Sequence, residues 1–311
     1  EFAQLFITNG LDDVPFRANP NAGNVDLLDN SARYNHHAMQ LEIRRRFNDG
    51  VNFQANYTFQ KTLTSVANDT QARFNTLLDN ANPDLEYARA NYDRTHTINI
   101  NTQYELPFGR GRRFLNQGGI LDALFGGWGL NNIMNIGSGA PISIKFTDGT
   151  LNRAGRSADG TAVTGLTHDQ VRDLIGLRTV NGIRYFIDPS VIAPDGTATG
   201  GNFEPTANAN FPGQVFFASQ PGQTGNLPRN FINGPWYWFW NAGLRKNFAV
   251  GEKLNIQLRA DAFNVLNNTF FNVTELRAGA LFNIESTTFG QIPDSFNRTP
   301  RILQLGLRIE F

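Results

Sequence analysis

The last residues of the chain alternate without a break. Leu303, Leu305, Leu307, Ile309 and Phe311 take one set of positions, and Gln304, Gly306, Arg308 and Glu310 take the other. Successive side chains of a strand point to opposite faces, so this period of two gives a strand with one apolar and one polar side. No helix tolerates it, because a helix would wind both sets around its surface. In a soluble sandwich the apolar side meets a second protein layer. In a membrane barrel it meets lipid, and the polar side meets the lumen.

The pattern recurs upstream. Leu254, Ile256, Leu258, Ala260 and Ala262 alternate with Asn255, Gln257, Arg259 and Asp261. Trp236, Trp238, Trp240, Ala242, Leu244 and Phe248 alternate with Tyr237, Phe239, Asn241, Gly243, Arg245 and Asn247. Val51 to Gln60 and Ile98 to Leu106 behave alike, with Asn99, Asn101 and Gln103 among the polar positions. Weaker versions cover Tyr34 to Phe47 and Trp128 to Phe146, the latter interrupted at Gly137–Gly139 as at a bulge. That makes about seven strands, each long enough for the ~9–11 residues a transmembrane strand needs.

Composition agrees. No stretch reaches the ~20 apolar residues of a membrane helix, and mean hydropathy is mildly polar, as expected where only alternate residues meet lipid. Formal net charge is zero, which gives no reason to expect nucleic acid as a partner, and there is no cysteine for disulfides or thiolate chemistry. The start, Glu1-Phe2-Ala3-Gln4, has neither a basic nor an apolar leader character. For an exported protein this is expected to mean that an amino-terminal part lies elsewhere.

The connections fall into two classes that alternate. Asn48-Asp49-Gly50 and Val250-Gly251-Glu252 are tight turns, and Pro107 to Gly127 is a longer turn at the same end. The other connections, 64–91, 147–235 and 268–300, are long and rich in Gly, Pro, Asn, Asp and Thr. Short periplasmic turns and long outer loops are the habit of bacterial outer-membrane barrels. The expected fold is therefore an all-β transmembrane antiparallel β-barrel, partial, with residues 1–33 as part of another outer loop and 34–311 as barrel strands. Phe311 then ends in the periplasm. An odd strand number implies that earlier strands are missing.

Aromatic residues fit this orientation. Trp236, Trp238 and Trp240 fall at the outer interface, and Phe47, Phe248 and Phe311 at the inner one. Arg45 and Lys246 interrupt the lipid-facing sets near the inner interface, where a cationic stem can snorkel. Thr167 is placed to cap a short helix from His168, and Ile120 to Phe125 reads as an amphipathic helix at the inner interface.

Several phrases in order resemble the barrel end of TonB-dependent outer-membrane transporters of the Oar-like group, whose full-length members carry a carboxypeptidase-regulatory-like domain. They are YNHHAMQLEIRRRFNDGVNFQANYTFQKT, YDRTHTININTQYELPFGRGRRF, GGWGLNNIMNIGSGAPISI, WNAGLRKNF, LNIQLRADAFNVLNNTFF and RILQLGLRIEF. The resemblance implies a Gram-negative outer-membrane barrel of roughly 22 strands plugged by an amino-terminal domain, with uptake driven by the TonB complex through that plug. It implies that Phe311 is the signal read by the barrel-assembly machinery. These residues include neither the plug nor the segment that contacts the energy-coupling protein. The lumen candidates for such a path are Asn99, Asn101, Gln103, Arg245, Asn255, Gln257, Arg259, Asp261, Arg308 and Glu310. Expected partners are the lipid bilayer, lipopolysaccharide, the missing strands and plug, and a small-molecule, glycan or peptide substrate.

Other readings are weaker. His36-His37 has metal-ligating side chains, but neighbours on a strand face opposite ways. His96 and His168 are isolated in sequence. Asp148-Gly149, Asp159-Gly160 and Asp195-Gly196 lack the spacing of a calcium loop and read as turns. Gly109-Arg110-Gly111-Arg112-Arg113 lacks the lysine and serine of a phosphate loop. Asp261 and Glu310 read as lumen carboxylates in cross-strand ion pairs with Arg259 and Arg308 rather than as a catalytic pair. The expectation is that the chain is not an enzyme and carries no metal or cofactor. Two further functions compete with transport: a structural or adhesive surface barrel, and a soluble all-β carbohydrate-binding module.

Overall fold

The computed structural model describes residues 30, 32–48, 50–65, 82–117, 119–146, 160–202, 208–219, 224–250, 254–269, 271, 280–292 and 300–311. Seven long strands are built where the alternation lies: β1 (Tyr34–Asn48), β2 (Val51–Thr64), β3 (His96–Glu105), β4 (Trp128–Gly137), β5 (Tyr237–Val250), β6 (Leu254–Phe263) and β7 (Ile302–Glu310). Each pairs antiparallel with its sequence neighbour, in the order β1-β2-β3-β4-β5-β6-β7. The seven strands leave the sheet open.

Register carries the alternation across the whole sheet. Directly paired residues share a face. Val51, Tyr104, Leu130, Leu244, Ala260 and Leu305 form one such row over six strands. Leu41, Tyr57, Ile98, Ile136 and Trp238 form another over five. The opposite face carries Asn52, Gln103, Asn131, Gly243, Asp261 and Gln304 in one row, and Glu42, Asn56, Asn99, Asn135 and Phe239 in another. A slip of one residue in any pair would invert a strand; none occurs between the rows.

Every fully buried apolar residue described lies outside these seven strands. The strands instead expose their apolar sets, with Met39 at 55%, Ile43 at 58% and Leu305 at 83% of full exposure. A water-soluble sandwich would show the reverse, because its core is the pair of inner sheet faces.

The core sits in a cap at the long-loop end. Ile142, Ile144, Phe146, Val171, Phe186, Phe216, Ile232, Phe282, Ile284 and Phe289 belong to one buried cluster there. Two connections build it and a third docks on it. The β4–β5 connection contributes the short pairs Pro141–Ile142 with Ile232–Asn233, Lys145–Phe146 with Gly160–Thr161, and the hairpin Ile175–Val180 with Ile183–Ile187. The β6–β7 connection threads through it, with Ile284 N–H donating to Lys145 O at 2.9 Å and Ile292 N–H to Arg184 O at 2.8 Å. The β2–β3 connection docks through Glu86, which is buried and ion-paired to Arg229.

The long connections, whose composition reads as polar loop, thus hold a packed core. The buried residues are spaced too irregularly along the chain to give a period. The β4 region is corrected: the strand stops at Gly137, and the chain beyond it enters the cap instead of forming a bulge. Gly139 packs against the backbone of Gly234 and Pro235, where a Cβ has no room. The segments 147–159, 203–207, 220–223, 272–279 and 293–299, which include Asp148, Asp159 and much of the longest loops, lie outside the described residues.

Two helices occur as read. α1 spans Ile120–Phe125, and α2 spans His168–Asp173 with a capping box between Thr167 and Gln170.

Candidate functional site

The amide-lined face is the candidate site. Asn99, Asn101, Gln103, Arg245, Asn255, Gln257, Arg259, Asp261, Arg308 and Glu310 all fall on it by register. Asn and Gln offer both donors and acceptors without charge. Apolar residues interrupt it: Ile133 lies between Asn101 and Asn241, Phe239 ends the Asn135 row, and Phe263 faces Ile302.

Toward the hairpin end the face becomes charged. Arg245 and Arg259 stand directly opposite each other, which alone is unfavourable. Each turns to a carboxylate. Arg259 Nε lies 2.7 Å from Asp261 Oδ2, and Arg245 donates to Glu105 Oε1 at 3.0 Å. Glu105 also pairs with Arg112 from the 106–127 turn. Arg308 and Glu310 pair at 2.5 Å. The expectation of cross-strand pairs at Asp261 and Glu310 is thus corrected: both pair two residues away on their own strand, where same-face neighbours are already adjacent. The pair that does cross strands, Arg245 with Glu105, was not among the candidates. It spans β4 above Gly129, where an added Cβ would lie 2.5 Å from Arg245 Nε. Glu105, Leu106, Arg112, Gly127, Trp128, Arg245 and Asn247 line an open cleft of about 270 Å³.

Glycine recurs on this face for the same reason. Tyr237 lies over Gly137, and the Asp261 carboxylate over Gly243. In each case a long side chain crosses a neighbouring strand where that strand has none.

On the apolar face, aromatic residues gather at the loop end. Trp236 precedes β5 and stacks on His96 at 5.6 Å, while Tyr57 and Phe59 lie 6.1 and 5.4 Å from the same ring. His96 Nδ1 is 2.9 Å from Tyr57 Oη. His96 is therefore not isolated; strand pairing brings to it aromatics that are distant in sequence. Trp240 Nε1 donates to Asn132 Oδ1 at 3.2 Å, which gives this amide on the apolar face a partner. Phe248 is half-buried at the hairpin end, Phe311 is fully exposed, and the Phe47 side chain lies outside the described residues.

Lys246 departs from the snorkelling expectation. It is 3% exposed. Its Nζ donates to Gly126 O and lies 4.8 Å from the Phe248 ring centre and 5.6 Å from that of Trp128. The charge is held by a backbone carbonyl and two ring faces.

The remaining candidates are local. His36 Nδ1 is 2.9 Å from Thr62 Oγ1, and His37 falls on the opposite face. His168 packs against Phe231 at 5.7 Å. Asp195 Oδ1 accepts from Thr197 N–H at 2.9 Å, which makes a turn. Among the described residues no three metal-ligating side chains cluster.

A single antiparallel layer, greasy on one face and amide-lined on the other, with its packed core displaced to one end, defines a membrane-spanning β-barrel protein. The chain belongs to the outer membrane beta barrel domain family, whose model matches residues 4–304. It is accordingly a protein of the bacterial outer membrane. No curated protein and no solved structure matches it.

Proposed function

We propose that this chain is the substrate-selecting barrel end of an outer-membrane transporter of the TonB-dependent, Oar-like kind. The observation that carries the reading is the pair of amide rows, Asn56-Asn99-Asn135 and Asn52-Gln103-Asn131, across three neighbouring strands. In the barrel these line the lumen. Neutral donors and acceptors in rows suit a polar solute such as a glycan, a peptide or a chelate, which exchanges one partner for the next along the wall. The hairpin end faces the periplasm and the cap faces outward, following the general habit of such barrels. The cap then meets a substrate first. Energy enters through a plug and the TonB complex, as the resemblance implies, and assembly reads Phe311.

A second reading is supported by the cap itself. A loop unit with its own core of phenylalanines and isoleucines also suits a surface barrel that binds a partner without transporting it. Membership in an outer-membrane family removes support from the soluble carbohydrate-binding reading.

The test is solute accumulation in the native host. Strains with and without the full-length gene are compared under limitation for glycans, peptides and metal chelates, with and without a protonophore. A solute whose accumulation needs both the gene and the proton gradient supports transport. Gene-dependent surface binding that ignores the protonophore supports the adhesive reading. Unchanged accumulation of every solute tested contradicts transport.

A further inference from the structure

The turn between β3 and β4 is longer than a hairpin needs, and it is folded. It ends in α1, whose apolar side chains all point away from the protein: Ile120 is 80% exposed, Leu121 54%, Leu124 57% and Phe125 52%. Six residues are too few for a helix to hold itself together in water. This one is held by polar tethers instead. Trp128 Nε1 donates to Leu124 O at 2.8 Å, Lys246 Nζ donates to Gly126 O, and Asp122 Oδ1 accepts from Arg110 N–H at 2.7 Å. Gly109, at φ +105°, lets the turn fold back so closely that a Cβ there would come 2.6 Å from Gly126 Cα. The protein thus fixes four greasy side chains outward and leaves them uncovered.

Continuity says what covers them. The tethers come from Trp128 and Lys246, which are paired with each other and belong to the apolar face of β4 and β5. The exposed side of α1 extends the surface that already meets lipid. The same turn carries exposed arginines. Arg112 is engaged by Glu105. Arg110 and Arg113 form no ion pair among the described residues, and Arg113 lies over the Phe114 ring at 5.5 Å. Greasy residues that enter the acyl boundary beside cations at headgroup height are the chemistry of an interfacial anchor that prefers anionic lipid.

We propose that residues 106–127 form a lipid-binding foot in the periplasmic leaflet: Ile120, Leu121, Leu124 and Phe125 insert among the acyl chains, and Arg110 and Arg113 bind the phosphate headgroups of anionic phospholipids. The proposal rests on the membrane orientation given above but not on transport.

The chain contains no cysteine, so Leu121→Cys in the full-length protein, with any cysteine outside these residues replaced by serine, gives a single site for an environment-sensitive fluorophore. In phosphatidylcholine vesicles with and without phosphatidylglycerol, the label is expected to emit as if in hydrocarbon and to be quenched by spin-labelled lipid rather than by aqueous iodide. Titration of the detergent-solubilised protein with phosphatidylglycerol, read by native mass spectrometry, is expected to show binding that falls about fivefold for each of Arg110→Gln and Arg113→Gln. Phosphatidylcholine binding is expected to be unchanged. Heat-modifiable electrophoretic mobility confirms that each variant is folded. A label quenched by iodide in membranes, or variants that bind phosphatidylglycerol as the parent does, would overturn the proposal. In a protein that transports normally, that result removes the foot alone; an intact foot in a protein that moves no solute removes transport alone.

Discussion

Arg245 reaches Glu105 at 3.0 Å although the two sit on strands that do not pair with each other. The guanidinium crosses β4 over the bare backbone of Gly129, which is aligned with both residues. The bridge also separates Arg245 from Arg259, which would otherwise face it as a like charge. One missing side chain therefore lets three strands share one charge arrangement at the hairpin end of the polar face.

Gly129→Ala is expected to displace Arg245 and lower stability by about 1 kcal/mol, the scale of a part-exposed ion pair. The check is a double-mutant cycle with Arg245→Met, read by urea unfolding in detergent micelles. Without the guanidinium the alanine loses its closest clash, the 2.5 Å approach to Arg245 Nε, so most of its cost is expected to vanish. An equal cost in both backgrounds would mean that the glycine serves the backbone instead.

The cap is expected to fail separately from the sheet. Phe289 is fully buried, with its ring centre 5.9 Å from Phe216 and 6.4 Å from Phe282. Phe289→Ala removes a ring from this cluster at a cost of roughly 3–5 kcal/mol. Hydrogen exchange is expected to accelerate across 160–202 and 280–292, while β1 to β7 keep their protection. Loss of protection in both regions together would show a single cooperative unit.

Glu86 and Arg229 fasten the β2–β3 connection to the cap, and the Glu86 side chain is 2% exposed. Glu86→Gln removes this ionic partner from a buried guanidinium, at a cost of up to roughly 3 kcal/mol. The readout is exchange in 82–95 and 229–233, expected to rise there and not at the hairpin end. Unchanged exchange in these segments would place the junction's strength elsewhere.

Low pH is expected to loosen the cap through Asp188. Hydrogen bonds from the Ser190 backbone N–H and then its hydroxyl hold the Asp188 carboxyl below its usual range, against burial and with help from Arg178, 3.6 Å away. A depressed carboxylate contributes stability that is present above its unfolded value and is lost as pH falls through the folded one. Exchange of the Ile175–Ile187 hairpin measured from about pH 5 downward should show this loss, and Asp188→Asn should flatten that part of the profile. Parallel profiles for the two proteins would remove Asp188 as the cause.

The two sheet faces were legible because a period of two survives every register: Leu303 to Phe311 announces its faces without a partner in view. α2 was legible because Thr167 and Gln170 form a local cap. The cap core was not. Ile142, Phe216 and Phe289 meet only after the β4–β5 and β6–β7 connections fold together, and the Gly, Pro and Thr between them read as loop. The Arg245–Glu105 bridge was hidden for a related reason, since it needs the alignment of three strands. Lys246 looked like an interfacial cation because sequence spacing could not show that α1 would bring Gly126 O to it.

The central claim is that the odd-numbered side of β7 touches hydrocarbon. In the cysteine-free chain, single cysteines at positions 303, 304, 305, 307 and 308 accept a nitroxide, and electron paramagnetic resonance in reconstituted bilayers reads each site's collisions with oxygen and with a water-soluble nickel chelate. Oxygen should dominate at Leu303, Leu305 and Leu307, and the chelate at Gln304 and Arg308. Odd positions shielded from both reagents, or reached by the chelate, would mean that protein or water covers this face, and the barrel account would be contradicted.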